Sequence, residues 1–116
     1  MFRCEVWLIN LDPTVGAEIK KARPVVIVSS DTIGILPLRL VVPLTDWKDH
    51  YYQAAWMVKI SPNQNNGLIK DSAADTFQIR SVSTTRFIRK MGEITKEEID
   101  QIVHAIGLVV EYQPLD

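Results

Sequence analysis

The sequence predicts a mostly-β α+β fold: a small antiparallel barrel, closed or flanked by one C-terminal amphipathic helix. Three observations carry that expectation. Short apolar runs of strand length, alternating or β-branched, fill residues 1–92. Turn formers separate them, most clearly Ser61-Pro62-Asn63-Gln64-Asn65-Asn66-Gly67. One stretch near the end switches to helical periodicity and needs a sheet to pack on.

Taken in order, residues 2–9 alternate, with Phe2, Cys4, Val6 and Leu8 on one face and Arg3, Glu5, Trp7 and Ile9 on the other, which predicts a half-buried strand. Asp12-Pro13 closes it. The segment to Ala22 mixes Gly16, Glu18, Lys20 and Lys21 without periodicity and reads as a long, polar, mobile loop. Pro24 then opens Val25-Val26-Ile27-Val28, a β-branched run predicting a strand buried on both faces and ended by Ser29-Ser30-Asp31. A strand is expected over residues 39–44, with Pro43 suited to an edge or a bulge. After a loop over residues 46–52, a strand over 53–60 would place Ala54, Trp56, Val58 and Ile60 on one face. Short strands are expected around residues 68–70, 74–79 and 87–91. The helix begins at Thr95: Thr95 and Glu98 fit a capping box, acidic residues crowd the first turn, and Ile99, Ile102, Val103, Ile106, Val109 and Val110 form an apolar stripe. His104 falls off that stripe and is expected to face solvent.

Length and composition bound the function. A chain of 116 residues, 47% hydrophobic and 23% charged, is expected to form one domain over residues 1–116. No apolar run approaches the roughly 18 residues of a membrane span, and the N-terminus leads straight into a strand pattern, so a cytoplasmic protein is expected. Cys4 is the only cysteine, which rules out an internal disulfide or thiolate cluster, and His50 and His104 lack metal-ligand spacing; no metal or cofactor is expected. Residues 1–92 carry 12 Lys+Arg against 8 Asp+Glu, while residues 93–116 carry 1 against 6. A basic body beside an acidic tail permits a cationic groove for a polyanion, and equally permits an ordinary solvated surface.

Serine-hydrolase, phosphate-loop and dinucleotide fingerprints are absent. What remains is a set of polar residues where loops meet strands: Glu18, Arg23, Thr45, Ser72, Gln78 and Arg80. Arg23 precedes Pro24 and Thr45 ends the Val41-Val42-Pro43-Leu44 run, so both could gather at one end of a barrel and hold a phosphodiester, the guanidinium as a fork of donors and the hydroxyl as one more. The same residues also fit structural roles: Arg23 in a surface ion pair, Thr45 in a turn, Gln78 as a satisfied polar group in a strand.

Several blocks, in order, carry a resemblance: Val6-Trp7-Leu8, Leu11-Asp12-Pro13-Thr14-Val15-Gly16, Glu18-Ile19, Arg23 to Ser29, Val41 to Thr45, Gly67 to Ser72, Gln78 to Val82, and Arg86-Phe87 leading to Met91-Gly92. Together they resemble the MazF/PemK family of bacterial toxins over nearly the whole chain. The resemblance implies an SH3-like barrel with a C-terminal helix. It also implies a homodimeric, metal-independent, sequence-specific endoribonuclease that cleaves single-stranded RNA and is neutralised by a cognate antitoxin protein. Arg23 and Thr45 match the family's catalytic pair, Glu18 a loop acid important for activity, and Ser72 and Gln78 positions lining the RNA groove; Lys20 and Arg80 would add positive charge to that groove. Attack by the 2′-hydroxyl on the adjacent phosphate would give a cyclic phosphate and a 5′-hydroxyl, a reaction DNA cannot undergo. Arginine keeps its proton at neutral pH, so Arg23 is assigned an electrostatic role. Family members often place an acid directly before the glutamine, where this chain has Phe77, and some a histidine before the loop glutamate, where it has Ala17. Glu18 is therefore the candidate base, with Asp75, expected on the same strand face as Phe77, as substitute.

Trp47, Tyr51 and Tyr52, interleaved with Lys48 and His50, follow Thr45 and are expected to stack on RNA bases and help choose the cleaved sequence; alternatively some of these rings pack under the loop as a satellite cluster. Two other functions fit the same architecture: a toxin that poisons DNA gyrase, and a non-catalytic SH3-like binding module. The Arg23 and Thr45 blocks belong to the ribonuclease side of the resemblance.

Overall fold

In the computed structural model, which describes residues 1–115, seven antiparallel strands and one α-helix follow in order: β1 (Glu5–Asn10), β2 (Ala22–Ile27), β3 (Leu38–Asp46), β4 (Met57–Ile60), β5 (Ser72–Asp75), β6 (Arg80–Ser83), β7 (Phe87–Glu93) and α1 (Lys96–Val109). Asp116, the last residue of the expected 1–116 span, lies outside the described residues. The sheet runs β4-β5-β3-β2-β1-β7, and β6 pairs with the remaining stretch of β3. Val41 pairs with Ile27 of β2 on one edge and Arg80 of β6 on the other, so β5 and β6 share one edge of β3. The expected barrel stops short of closure: β6 and β7 are joined by a 3-10 turn, Thr84–Arg86, and no ladder links them.

Strand alternation divides the apolar residues between two cores, one on each side of this curled sheet. On the outer side, Val6, Val26, Val42, Leu44 and Val58 pack with Ile99, Ile102 and Ala105 of α1. Inside the curl, Ile9, Val25, Ile27, Val41 and Val82 pack with Leu11, and Trp7, Ile19 and Phe87 close the cluster. The β-branched run of β2 is thus buried on both faces, as its lack of polar alternation predicts. The helix starts where expected because Thr95 and Glu98 exchange the two bonds of a capping box, at 2.9 and 3.1 Å. Its buried stripe includes Ala105 and omits Val103 and Val110, which are exposed.

Several local expectations are corrected. The first strand begins at Glu5, not Phe2, because Cys4 takes φ +77° and breaks the extended run. Residues 53–60 supply a strand only from Met57; Asp49–Gln53 is a 3-10 turn and Trp56 is exposed. Residues 68–70 form no strand. Residues 74–79 are not one strand either: β5 ends at Asp75 and Thr76–Gln78 is a 3-10 turn, so Phe77 and Gln78 leave the sheet. Register explains that break. Val41↔Arg80 and Leu44↔Ala74 are three residues apart on β3 but six apart on the partner chain, so three residues bulge out. Pro43 lies in that interruption, where its missing N–H is tolerated even in a central strand.

Candidate functional site

The bulge positions the site. Gln78, thrown out of the sheet, reaches the loop between β1 and β2 and closes both ends of its amide on it: Ile19 N–H donates to Oε1 (2.6 Å) and Nε2 donates to the Ala17 carbonyl (3.1 Å). Arg80 Nη1 donates to the Leu11 carbonyl (3.1 Å), and Arg86 Nη1 to the carbonyls of Asn10 (3.2 Å) and Asp12 (2.5 Å). The loop expected to be mobile lacks regular structure but is fastened by three side chains from far along the chain. Glu18 folds back within it, its Oε1 accepting from Val15 N–H at 2.7 Å.

Between this loop and the bulge lies a trough of about 380 Å³, walled by Glu18, Ile19, Pro43, Phe77, Gln78 and Arg80. Val25 pairs with Pro43 on its floor, and the β2–β3 register continued by two residues sets Arg23 opposite Thr45. Alternation then puts Arg23 and Thr45 on the sheet face that carries Pro43, roughly 7 Å further along the strands. Both are half-buried. Arg23 Nε donates to the Lys20 carbonyl at 3.2 Å, and among the described residues no carboxylate pairs with the guanidinium. The ion-pair role open to Arg23 in the sequence is not used.

Other predicted residues lie apart. Lys20 is exposed on the loop next to Arg23. Ser72 is buried on the side of β5 that faces the outer core, its hydroxyl donating to the Lys70 carbonyl at 3.2 Å. Trp47, Tyr51 and Tyr52 pack on one another rather than lining the trough: Trp47 meets Tyr51 and Tyr52 edge-on, with centroids 5.6 and 4.8 Å apart. Lys59 Nζ sits 5.4 Å over both Trp47 and Tyr52 and donates to the Tyr52 hydroxyl at 2.9 Å. A separate hollow of about 330 Å³ borders this cluster and reaches Gln101 of α1. Asp75 caps the 3-10 turn through Phe77 N–H (3.2 Å); burial pushes its carboxyl above the usual range, against the lowering pull of the Phe77 and Gln78 amides. The structural part of Arg86, and the joint presence of Trp56, Asp75 and Phe77 in one cavity, have no sequence signal, since each depends on contacts between distant segments or on the bulge.

A profile described as "PemK-like, MazF-like toxin of type II toxin-antitoxin system" matches residues 2–110. The chain belongs to this toxin family. Among toxin-family relatives, it is 35% identical to "Endoribonuclease MazF9" of Mycobacterium tuberculosis over 93% of this chain and 94% of that protein. It is 28% identical to "Endoribonuclease PemK" of Escherichia coli over 88% of this chain and 79% of that protein. In fold it is similar to the crystal structure of MazF from Deinococcus radiodurans, with TM-score 0.79, 16% identity and 97% of each chain covered. The toxin family's mostly-β architecture with one C-terminal helix is therefore the architecture of this chain, with the sheet left open.

Proposed function

We propose that this chain is the toxin of a type II toxin–antitoxin pair and acts, over residues 1–116 as one domain, as a metal-independent, sequence-specific endoribonuclease on single-stranded mRNA in the cytoplasm. The observation that carries the reading is the 35% identity to a named endoribonuclease over 93% of the chain. It is supported by the β2–β3 register, which, extended two residues beyond Val25↔Pro43, sets Arg23 opposite Thr45 near an open trough. No helix among the described residues is long and apolar enough to cross a membrane.

In the proposed reaction the 2′-oxygen attacks the adjacent phosphorus as its proton is removed, the bond to the 5′-oxygen breaks, and the departing 5′-oxygen takes a proton from solvent water, giving a cyclic phosphate and a 5′-hydroxyl. Arg23 and the Thr45 hydroxyl donate to the phosphorane oxygens as charge builds there. Glu18, an acceptor whose Oε2 is left unused by its bond to Val15, takes the 2′-hydroxyl proton. Lys20 and Arg80 draw the backbone into the trough; Gln78 shapes it, and Ser72 supports the start of β5 between β3 and β4. Trp47, Tyr51 and Tyr52 are assigned to base contacts beyond the trough, with Tyr52 the most open of the three. A cognate antitoxin is the protein partner, and a second copy completes a homodimer; exposed Leu108, Val110 and Tyr112 at the end of α1 supply apolar surface for a protein partner to cover.

The deciding experiment incubates the protein with a long single-stranded RNA in EDTA and identifies the fragment ends. Discrete fragments with 5′-hydroxyl termini are expected, and Arg23→Ala should slow their appearance by roughly 10²–10³-fold with an unchanged melting temperature. Intact RNA after long incubation, or equal activity in the variant, overturns the reading.

A further inference from the structure

Phe77 and Gln78, which wall the trough, also wall a second cavity of about 330 Å³ that Trp56 and Asp75 complete. Trp56 and Phe77 are 42% and 68% exposed and belong to neither core, whereas Asp75 is only 6% exposed. Asp75 Oδ1 accepts from Phe77 N–H at 3.2 Å, no cation pairs with the carboxylate among the described residues, and burial disfavours its charge. A buried acid with no cation partner, held only by the backbone amides of the turn it caps and lining a cavity with two solvent-facing rings, adds nothing to either core. The arrangement is nonetheless rigid. Met57 pairs with Asp75 across β4 and β5, and the Trp56 carbonyl accepts from both Thr76 N–H (3.1 Å) and Thr76 Oγ1 (2.7 Å), tying the three side chains to one hydrogen-bonded frame.

We propose that this cavity is a base-recognition subsite in which Trp56 and Phe77 take the faces of an unpaired nucleobase and the Asp75 carboxylate selects guanine. The proposal rests on the reading of the chain as an RNA-binding enzyme and adds which base is read and by what. An ionised carboxylate only accepts hydrogen bonds; its two oxygens carry about four lone-pair sites, and after the Phe77 and Gln78 amides have each taken one, two remain for a ligand. Guanine offers two adjacent donors, N1–H and the 2-amino group. Adenine and cytosine set a ring-nitrogen acceptor beside their amine, and uracil sets its one N–H between two carbonyls, so each turns lone pairs toward the carboxylate. The rings add stacking that any base can use, which leaves the choice to Asp75. Because two walls are shared, a strand lying in the trough enters this cavity with the next base along.

The test compares RNAs carrying guanine or inosine, which lacks the 2-amino group, both as substrates and as oligonucleotides made uncleavable by 2′-deoxy sugars. Wild type should cut and bind the guanine RNA at least ten-fold better. Asp75→Asn, which preserves shape and the Oδ1 acceptor, should lose that preference and cleave sequences that lack guanine. Phe77→Ala and Trp56→Ala should raise KM about ten-fold for all sequences with little change in kcat. Cleavage by wild type without guanine–inosine discrimination, or discrimination retained in Asp75→Asn, sinks the subsite but leaves the nuclease reading standing. Loss of all cleavage in a folded Asp75→Asn whose binding preference is unchanged assigns the carboxylate to the chemistry and also sinks it. Guanine-selective binding without any cleavage retains the subsite and sinks the nuclease reading.

Discussion

Gln78 shows how one side chain shapes a site without carrying charge. Its amide matches one backbone N–H and one carbonyl two residues apart on the β1–β2 loop, so the loop carrying Glu18 is held against the bulge by a pair of complementary bonds. Removing the amide leaves both backbone groups free to seek water at an already solvent-lined trough, which limits the stability loss to about 1–2 kcal/mol. For Gln78→Ala we expect the Ile19 amide to exchange at least ten-fold faster and RNA cleavage to slow, with the melting temperature falling by only a few degrees. An unchanged Ile19 exchange rate would show that Arg80 and Arg86 suffice to hold the loop. Arg23 calls for a different substitution. Lysine keeps the charge but not the planar fork, so Arg23→Lys should recover only part of the cleavage lost in Arg23→Ala, as read by single-turnover rates.

At the helix and the strands, two devices set the packing. The Thr95 and Glu98 capping box satisfies N–H groups that the first turn of α1 leaves without partners. Thr95→Ala is expected to cost about 1 kcal/mol, seen as a drop of about 4–6 °C in thermal melting. The turn over residues 61–67 meets β7 backbone to backbone: Glu93 N–H donates to the Asn65 carbonyl at 2.9 Å, and a Cβ on Gly92 would lie 2.2 Å from that carbonyl oxygen. No rotamer relieves a clash with main chain. Gly92→Ala should therefore destabilise by about 3 kcal/mol or more in urea titration, a far larger penalty than alanine brings to an ordinary strand.

Across the molecule, the N-terminus, β1 and β7 are joined at one buried carboxylate. Burial pushes the Glu5 carboxyl up, but Phe2 N–H (2.8 Å), Trp7 Nε1–H (2.9 Å) and Lys90 Nζ (3.0 Å) outweigh it and hold the group down to about 2. A carboxyl whose folded value lies below its unfolded value, about 4.3, stabilises the protein above that value and loses the contribution as pH falls toward 2. Urea midpoints should accordingly fall between about pH 4.5 and 2 in the wild type. Glu5→Gln should be less stable at pH 7 and show a shallower decline over that window; parallel curves would assign the acid sensitivity elsewhere.

Much of this architecture is written locally. Alternation and β-branching mark β1, β2 and β3 because a pleated strand exposes its two faces at period two. The capping box and apolar stripe mark α1 because a helix satisfies its first turn from within four residues. The residue types of the candidate site, Arg23, Thr45, Glu18 and Gln78, are equally visible in the sequence. Their arrangement is not, because it depends on pairings between distant segments: the alignment of β2 with β3, and a three-residue mismatch between β3 and the β5–β6 segment that expels Phe77 and Gln78. The same mismatch brings Asp75 beside Trp56, and bonds spanning 59 to 76 residues fasten a loop whose composition reads as mobile. Local periodicity reports which face of an element is apolar; where two elements slip past one another is decided by the packing of both cores at once.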